Sequence, residues 1–245
     1  MGIVIVMEFD DENKSVVDDI INLLKKDFRV LSTDEQKVFM EYALSGSPYY
    51  KMYVVAVGTG MRSGELRALE WDDVDFKNKL VHVTGTLKFR KGDGYFKDTP
   101  KSASSDREIP MLDEVYKILK EQRKEQLENR TLLGEAWQPQ EGLENLVFTS
   151  PYHRKGYGLP VGEAVLNVDM KKIVKRINAA GIEFEEITPH TLRHTFATRG
   201  LENGIPPKVM QELLGHTSIT MTLDIYSHVL PDTKASEIQK IANMF

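Results

Sequence analysis

A mainly α-helical chain with a small three-stranded antiparallel sheet is the fold class that these 245 residues predict. Three observations lead there. Apolar residues recur at helical spacing through most of the sequence, and several of these stretches open on recognisable caps. Strict alternation is confined to one short region around Leu80-Val-His-Val83, followed by the turn signal Lys91-Gly-Asp-Gly94. There is no cysteine, which excludes disulfides, zinc–thiolate sites and thiol chemistry, and the length allows a core that needs no such staples.

Residues 1–30 read as an acidic leader. Within it, Val16, Val17, Ile20, Ile21, Leu23 and Leu24 outline an amphipathic helix over Ser15–Phe28. Ser32 followed three residues later by Glu35 is a capping box, and opens a helix that reaches Ala43. Met52–Val57 predicts a buried helix stopped by Gly58-Thr-Gly60, and Arg62–Glu70 another with Leu66 and Leu69 inward. Trp71–Phe76 turns into the sheet region at residues 79–110. Its three expected strands are Leu80–Val83, a second ahead of Lys101, and Glu108-Ile-Pro110.

Leu112–Thr131 is a strongly charged helix whose Lys/Glu run reads as a solvated face. Residues 132–160 predict a long loop interrupted by a short strand, Leu146-Val-Phe148. Pro160–Ala180 is helical and ended by Gly181. Thr188 before Pro189 is an N-cap with proline at the first helical position, which places His190 in the first turn of the next helix.

The net charge of −5 argues superficially against an anionic partner, but its distribution does not. Residues 1–36 hold nine acidic against four basic side chains, the whole of the imbalance, and the remainder is neutral. Residues 84–107 carry Lys88, Arg90, Lys91, Lys97, Lys101 and Arg107 against three aspartates. A local field of this kind, and not the sum, selects partners. The N-terminal apolar run Ile3–Met7 is too short for a signal sequence or a membrane span, so no membrane association and a cytoplasmic location are expected.

Chemistry-bearing residues gather near the C-terminus: His190, Arg193, His194, His216, Tyr226 and His228. His190 and Arg193 are three apart on one helix and share a face. His190 and His194, one turn apart, have zinc-ligand spacing. Thr191 stands where a zinc peptidase needs glutamate, however, and Arg193 repels a cation, so no metal and no other cofactor are expected. His194 reads as a packing or hydrogen-bonding residue behind the site. Tyr226 is the candidate nucleophile. A free phenol near pKa 10 is only about 0.1% ionised at neutral pH, so it needs a base or a positive field.

Several strings, in order, resemble the tyrosine recombinases, the phage-integrase-type site-specific recombinases. They are Thr59-Gly-Met-Arg-Ser-Gly-Glu-Leu66, Thr99-Pro-Lys-Ser102 with Arg107-Glu-Ile-Pro110, His190-Thr-Leu-Arg-His-Thr-Phe-Ala-Thr198, Leu213-Leu-Gly-His216 and Ile225-Tyr-Ser-His228. The resemblance spans about residues 30–240, and its phrasing is most similar to integrases of conjugative transposons.

It implies the catalytic-domain fold of that family and a site-specific recombination that is independent of metal and ATP, for the integration or excision of a mobile element. Arg62 and Arg193 would clamp the non-bridging oxygens of a DNA phosphate, suited by a planar fork that keeps its charge. Tyr226 would attack phosphorus to give a 3′-phosphotyrosine, and Lys101 would protonate the leaving oxygen. His190 would act as base or orient the tyrosine, and His216 would donate to a phosphate oxygen. Glu65 and His228 would take supporting roles. Lys101 is chosen over Lys88, Lys91 and Lys97 for its place before Ser102 and the Arg107 strand.

The implied partners are double-stranded DNA, further copies forming a tetramer on DNA with weak self-association alone, and an excision factor. Under this reading residues 31–245 are a catalytic domain, with the family's core-binding and arm-binding domains absent and DNA binding weak and salt-dependent. The amphipathic tail 232–245 would pack in cis or be exchanged between protomers. A non-catalytic DNA-binding relative and a type IB topoisomerase are the competing readings.

Overall fold

Tyr53 lies in the main core, its ring buried against Phe39 and its hydroxyl donating to the buried Asp169 carboxylate at 2.7 Å. Ser47 donates to the same Oδ2 at 2.5 Å, so the buried charge is satisfied by two hydroxyls. The computed structural model describes residues 29–99, 106–151 and 156–229, without the side chains of Asp224 and of residues 226–229. Residues 1–28 of the leader, with the helix expected over Ser15–Phe28, and Lys101 and the tail 232–245 lie outside the described residues.

Helix α1 (Thr33–Leu44) starts as its sequence dictates: Ser32 Oγ accepts from Glu35 N at 3.1 Å, and Glu35 Oε2 accepts from Ser32 N at 2.8 Å. Helix α2 (Tyr50–Thr59) buries Met52, Tyr53, Val55 and Ala56, and ends at Gly60 in the left-handed region, φ 63°. The short helix α3 (Ser63–Ala68) follows at once.

The sheet region resolves into two pieces. Strands β1 (Val74–Asp75), β2 (Leu80–Val83) and β5 (Arg107–Pro110) form the antiparallel three-stranded sheet, with Val81 opposite Ile109 and Val83 opposite Arg107. Strands β3 (Thr86–Arg90) and β4 (Gly94–Asp98) form a separate two-stranded ribbon, closed through Gly92 and Gly94 at positive φ. The strand ahead of Lys101 therefore pairs with β3 and does not join β2. The break at Thr84-Gly85 releases the chain from the sheet, and the tight turn pairs its two arms locally. Leu146-Val-Phe148 makes a single bridge to Glu70 in place of a strand.

Helices α4 (Asp113–Leu133) and α5 (Glu163–Ala179) complete the main core. Helix α6 (Pro189–Glu202) packs on α2 beside α4, and its capping box uses the hydroxyls of Thr188 and Thr191. Helices α7 (Pro207–Leu214) and α8 (Thr220–Val229) close on α6 through a second apolar cluster of Ala197, Leu201, Met210, Leu214 and Ile225. That cluster seats α7 and α8 on α6, and the end of α7 meets Arg62, the residue before α3, Arg107 of β5 and Arg193 of α6.

Candidate active site

The site is built on the C-terminal end of α7. Three arginines from distant parts of the chain donate to three successive carbonyls there. Arg107 Nε reaches Leu213 O at 2.7 Å, Arg193 Nη2 reaches Leu214 O at 2.7 Å, and Arg62 Nη2 reaches Gly215 O at 2.9 Å. These carbonyls carry the partial negative charge of a helix terminus, and a cation stabilises them where no next turn can. Arg193 Nη1 also bonds Gly60 O, the cap of α2, at 2.7 Å. Two helix ends thus hold one guanidinium.

Glycine is needed at both caps. Gly60 and Gly215 sit at φ 63° and 64°, and a Cβ on Gly60 would lie 2.4 Å from Phe196 Cδ1. A side chain at position 60 would displace the carbonyl that holds Arg193.

Like charges gathered this closely need an anion among them, and Glu65 is that anion. It is buried, accepts Arg107 in a bidentate pair (Nη1–Oε1 3.1 Å, Nη2–Oε2 2.9 Å) and accepts Arg62 Nη1 at 2.8 Å. Its Oε2 also caps α3 by accepting Arg62 N at 2.8 Å. Burial raises the Glu65 carboxyl, yet the bonds and charges of Arg107 and Arg62 outweigh it and hold the pKa below the ordinary value. Arg193 is 5% exposed; burial first, then repulsion from Arg62 and Arg107, pushes its pKa down to about 9 against the pull of Glu65. It is still cationic at neutral pH. The Arg62 side chain is 35% exposed and forms the open side of the cluster.

His216 follows directly on Gly215. It is buried, and its Nδ1 lies 2.9 Å from the hydroxyl of Thr222 in α8. Burial, and after it the charges of Arg193 and Arg62, push its pKa down to about 4, so the ring is neutral at physiological pH. His194 is half-buried and pushed down to about 4 by burial, His190 and Arg193. His190 is exposed at the first turn of α6, its ring 6.5 Å from that of His194. The structure therefore brings together Arg62, Glu65, Arg193 and His216, with His190 one turn from His194 on the same helix. Tyr226 and His228 are in α8, but their side chains, like Lys101, lie outside what is described.

Two residues of this cluster escape a reading of motifs alone. Arg107 enters the resemblance only as part of a string, though it alternates with the buried Ile109 along β5, which already predicts an inward arginine in need of a partner. Thr222 stands in no motif; its position four residues before Tyr226 is the one available signal. Among the described residues no group of three histidine, aspartate or glutamate side chains is placed to hold a metal ion, and no helix is long and apolar enough to cross a membrane.

The model of the phage integrase family matches residues 29–232. The chain is 32% identical over 237 residues to the transposase of transposon Tn916 from Enterococcus faecalis, covering 95% of this chain and 55% of that protein. It is 32% identical over 222 residues to a XerC-like tyrosine recombinase from Caldanaerobacter subterraneus subsp. tengcongensis, covering 87% and 54%. The chain thus spans about half the length of these curated relatives. A solved structure of the Tn1549 transposon integrase in complex with circular intermediate DNA superposes with a TM-score of 0.74 at 30% identity, over 86% of this chain and 66% of that one. The chain belongs to the phage integrase family.

Proposed function

We propose that this chain supplies the catalytic part of a site-specific recombinase that integrates or excises a mobile element by cutting and rejoining DNA. The observation that carries the reading is the convergence of Arg62, Arg193 and the neutral His216 at the end of α7, immediately before the helix that bears Tyr226. Such a cluster suits a phosphodiester and its more negative transition state. The carbonyl contacts engage one N–H on each terminal nitrogen involved, and a guanidinium has five N–H donors to share between carbonyls and phosphate.

In this reading Tyr226 Oη forms a bond to phosphorus as the bond from phosphorus to the 5′-oxygen breaks. The tyrosine proton passes to His190, and Lys101 protonates the departing 5′-oxygen. Arg62 and Arg193 hold the non-bridging oxygens, His216 donates a hydrogen bond, Glu65 keeps Arg62 in place and His228 supports the nucleophile's helix. Religation runs the same steps backwards from another strand's 5′-hydroxyl. The phosphotyrosine preserves the bond energy, so neither metal nor nucleotide is required. Exchange between two duplexes needs four cleavages, hence a tetramer on double-stranded DNA, with an excision factor as a further partner and the cytoplasm as the place of action. Residues 31–245 act as the catalytic domain.

A duplex carrying the element's end and a nick beside the cleavage position tests this. The expected result is a covalent protein–DNA adduct on a denaturing gel that Tyr226→Phe abolishes. Adduct formation by Tyr226→Phe, or none by the unaltered chain on a site it binds, sinks the reading.

A further inference from the structure

The contact between His216 and Thr222 carries a role that extends the recombinase reading and rests on it. Thr222 is fully buried, and among the described residues its hydroxyl contacts one hydrogen-bond partner, His216 Nδ1 at 2.9 Å. A threonine hydroxyl has a single proton, and a buried donor left without an acceptor is costly. Among the described residues Nδ1 is the acceptor within reach of that proton, so the pairing that satisfies the hydroxyl donates it to Nδ1, the unprotonated nitrogen of a neutral ring. The ring proton is then on Nε2.

We propose that Thr222 is a positioning residue, holding His216 in the tautomer and orientation in which Nε2–H is the donor for the phosphate.

The surroundings give this arrangement its physical sense. Arg62, Arg107 and Arg193 already gather around the end of α7, with Glu65 the one carboxylate among them in the described residues. A charged imidazolium beside them would add a like charge in a buried place. A neutral ring that still donates from Nε2 adds a hydrogen bond without that repulsion. Nδ1 is the nitrogen that must be satisfied from within the protein, because a donor on it fixes which nitrogen keeps the proton.

Thr222 is also well placed to couple two events. It belongs to α8, the helix in which Tyr226 stands four residues later, whereas His216 follows the cap of α7. The hydroxyl can satisfy Nδ1 only when α8 is docked against that cap. His216 is thereby competent as a donor in the state in which the tyrosine's helix is seated, and loses its partner when the helix leaves.

The test uses the full chain with Thr222→Val, which keeps the branched shape and removes the hydroxyl, and Thr222→Ser, which keeps the hydroxyl. Ring-nitrogen chemical shifts of His216, assigned with His216→Asn, report the tautomer directly and without DNA. The unaltered chain is expected to show Nε2–H alone, Thr222→Val a mixture of tautomers, and Thr222→Ser the pure form again. On the nicked duplex, adduct formation by Thr222→Val should be slower by about tenfold to a hundredfold, the range known for partners that orient metal-ligating histidines. Thr222→Ser should recover most of that loss. Thermal unfolding of both variants shows whether α8 still docks. A proton on Nδ1 of His216 in the unaltered chain overturns the proposal. So does a Thr222→Val chain that forms the adduct at the unaltered rate. Should the unaltered chain form no adduct at all, the recombinase reading fails, and the nitrogen shifts still decide how Thr222 sets the ring.

Discussion

Arg107 and Glu65, forty-two positions apart, close a buried two-point ion pair at 3.1 and 2.9 Å. Through it the sheet edge at β5 is tied to the first turn of α3, and the carboxylate that anchors Arg62 is kept ionised. Arg107 also holds Leu213 O, so one guanidinium joins three elements.

Removing that guanidinium strands a buried carboxylate. Arg107→Met should lower stability by about 3–5 kcal/mol, the usual cost of breaking a buried pair from one side. Arg107→Lys should recover only part of it, because an ammonium cannot meet both carboxylate oxygens and the Leu213 carbonyl together. Denaturant unfolding of the two variants checks the order; equal stability of Arg107→Met and the unaltered chain contradicts it.

Gly60 carries two separable constraints. The left-handed φ costs an alanine about 1–2 kcal/mol, and the contact with Phe196 adds to it. Gly60→Ala should therefore destabilise by about 2 kcal/mol or more. In the Phe196→Ala background the same change should cost less, but not nothing, since the φ penalty stays. A double-mutant cycle by thermal unfolding separates the two.

The ribbon lysines divide by what they touch. Lys97 Nζ lies 2.5 Å from Glu70 and 3.0 Å from Asp73, and Lys88 Nζ lies 2.6 Å from Asp98. Burial lowers the Lys97 pKa, but the two carboxylates prevail and raise it, which suits a structural cation poorly disposed to give up a proton. Lys97→Ala should cost about 1–3 kcal/mol by leaving two acids facing each other, with adduct formation near the unaltered rate. Lys101→Ala should slow adduct formation by about 10²–10⁴-fold, the range for a general acid. The reverse pattern reassigns the acid to Lys97.

Acid should loosen the site from within. His194 and His216 have folded pKa values near 4 against an ordinary 6.5, so the unfolded chain takes up protons that the folded one refuses. Their contribution is fully present above about pH 6.5 and is lost as pH falls towards 4. Glu65, also held below its ordinary value, adds to the loss at the acid end. The midpoint of thermal unfolding should fall between pH 7 and pH 4.5, and fall less steeply in His216→Asn. An unchanged slope in that variant removes His216 from the account.

Local chemistry is legible in one dimension. The Ser32–Glu35 box, proline at the first position of α6, and the glycine stops at Gly60 and Gly181 each depend on a few neighbouring residues, and the structure places helix ends at or beside them. The pairing of β4 with β3 was not legible, since alternation reveals a strand but not its partner. Arg62, Glu65, Arg193 and His216 were nameable because their strings resemble a family, not because their spacing reveals contact.

Reading along the chain shows which residues are there: Arg62 and Arg193, the Glu65 carboxylate, the imidazoles and a tyrosine late in the sequence. That Arg62, Arg107 and Arg193 share the three carbonyls closing α7, and that Thr222 faces His216, emerges from packing alone. The reason is physical. Helix caps and turns are settled by interactions within a few residues, whereas a cluster of like charges forms only where packing brings helix ends and a buried carboxylate to neutralise it.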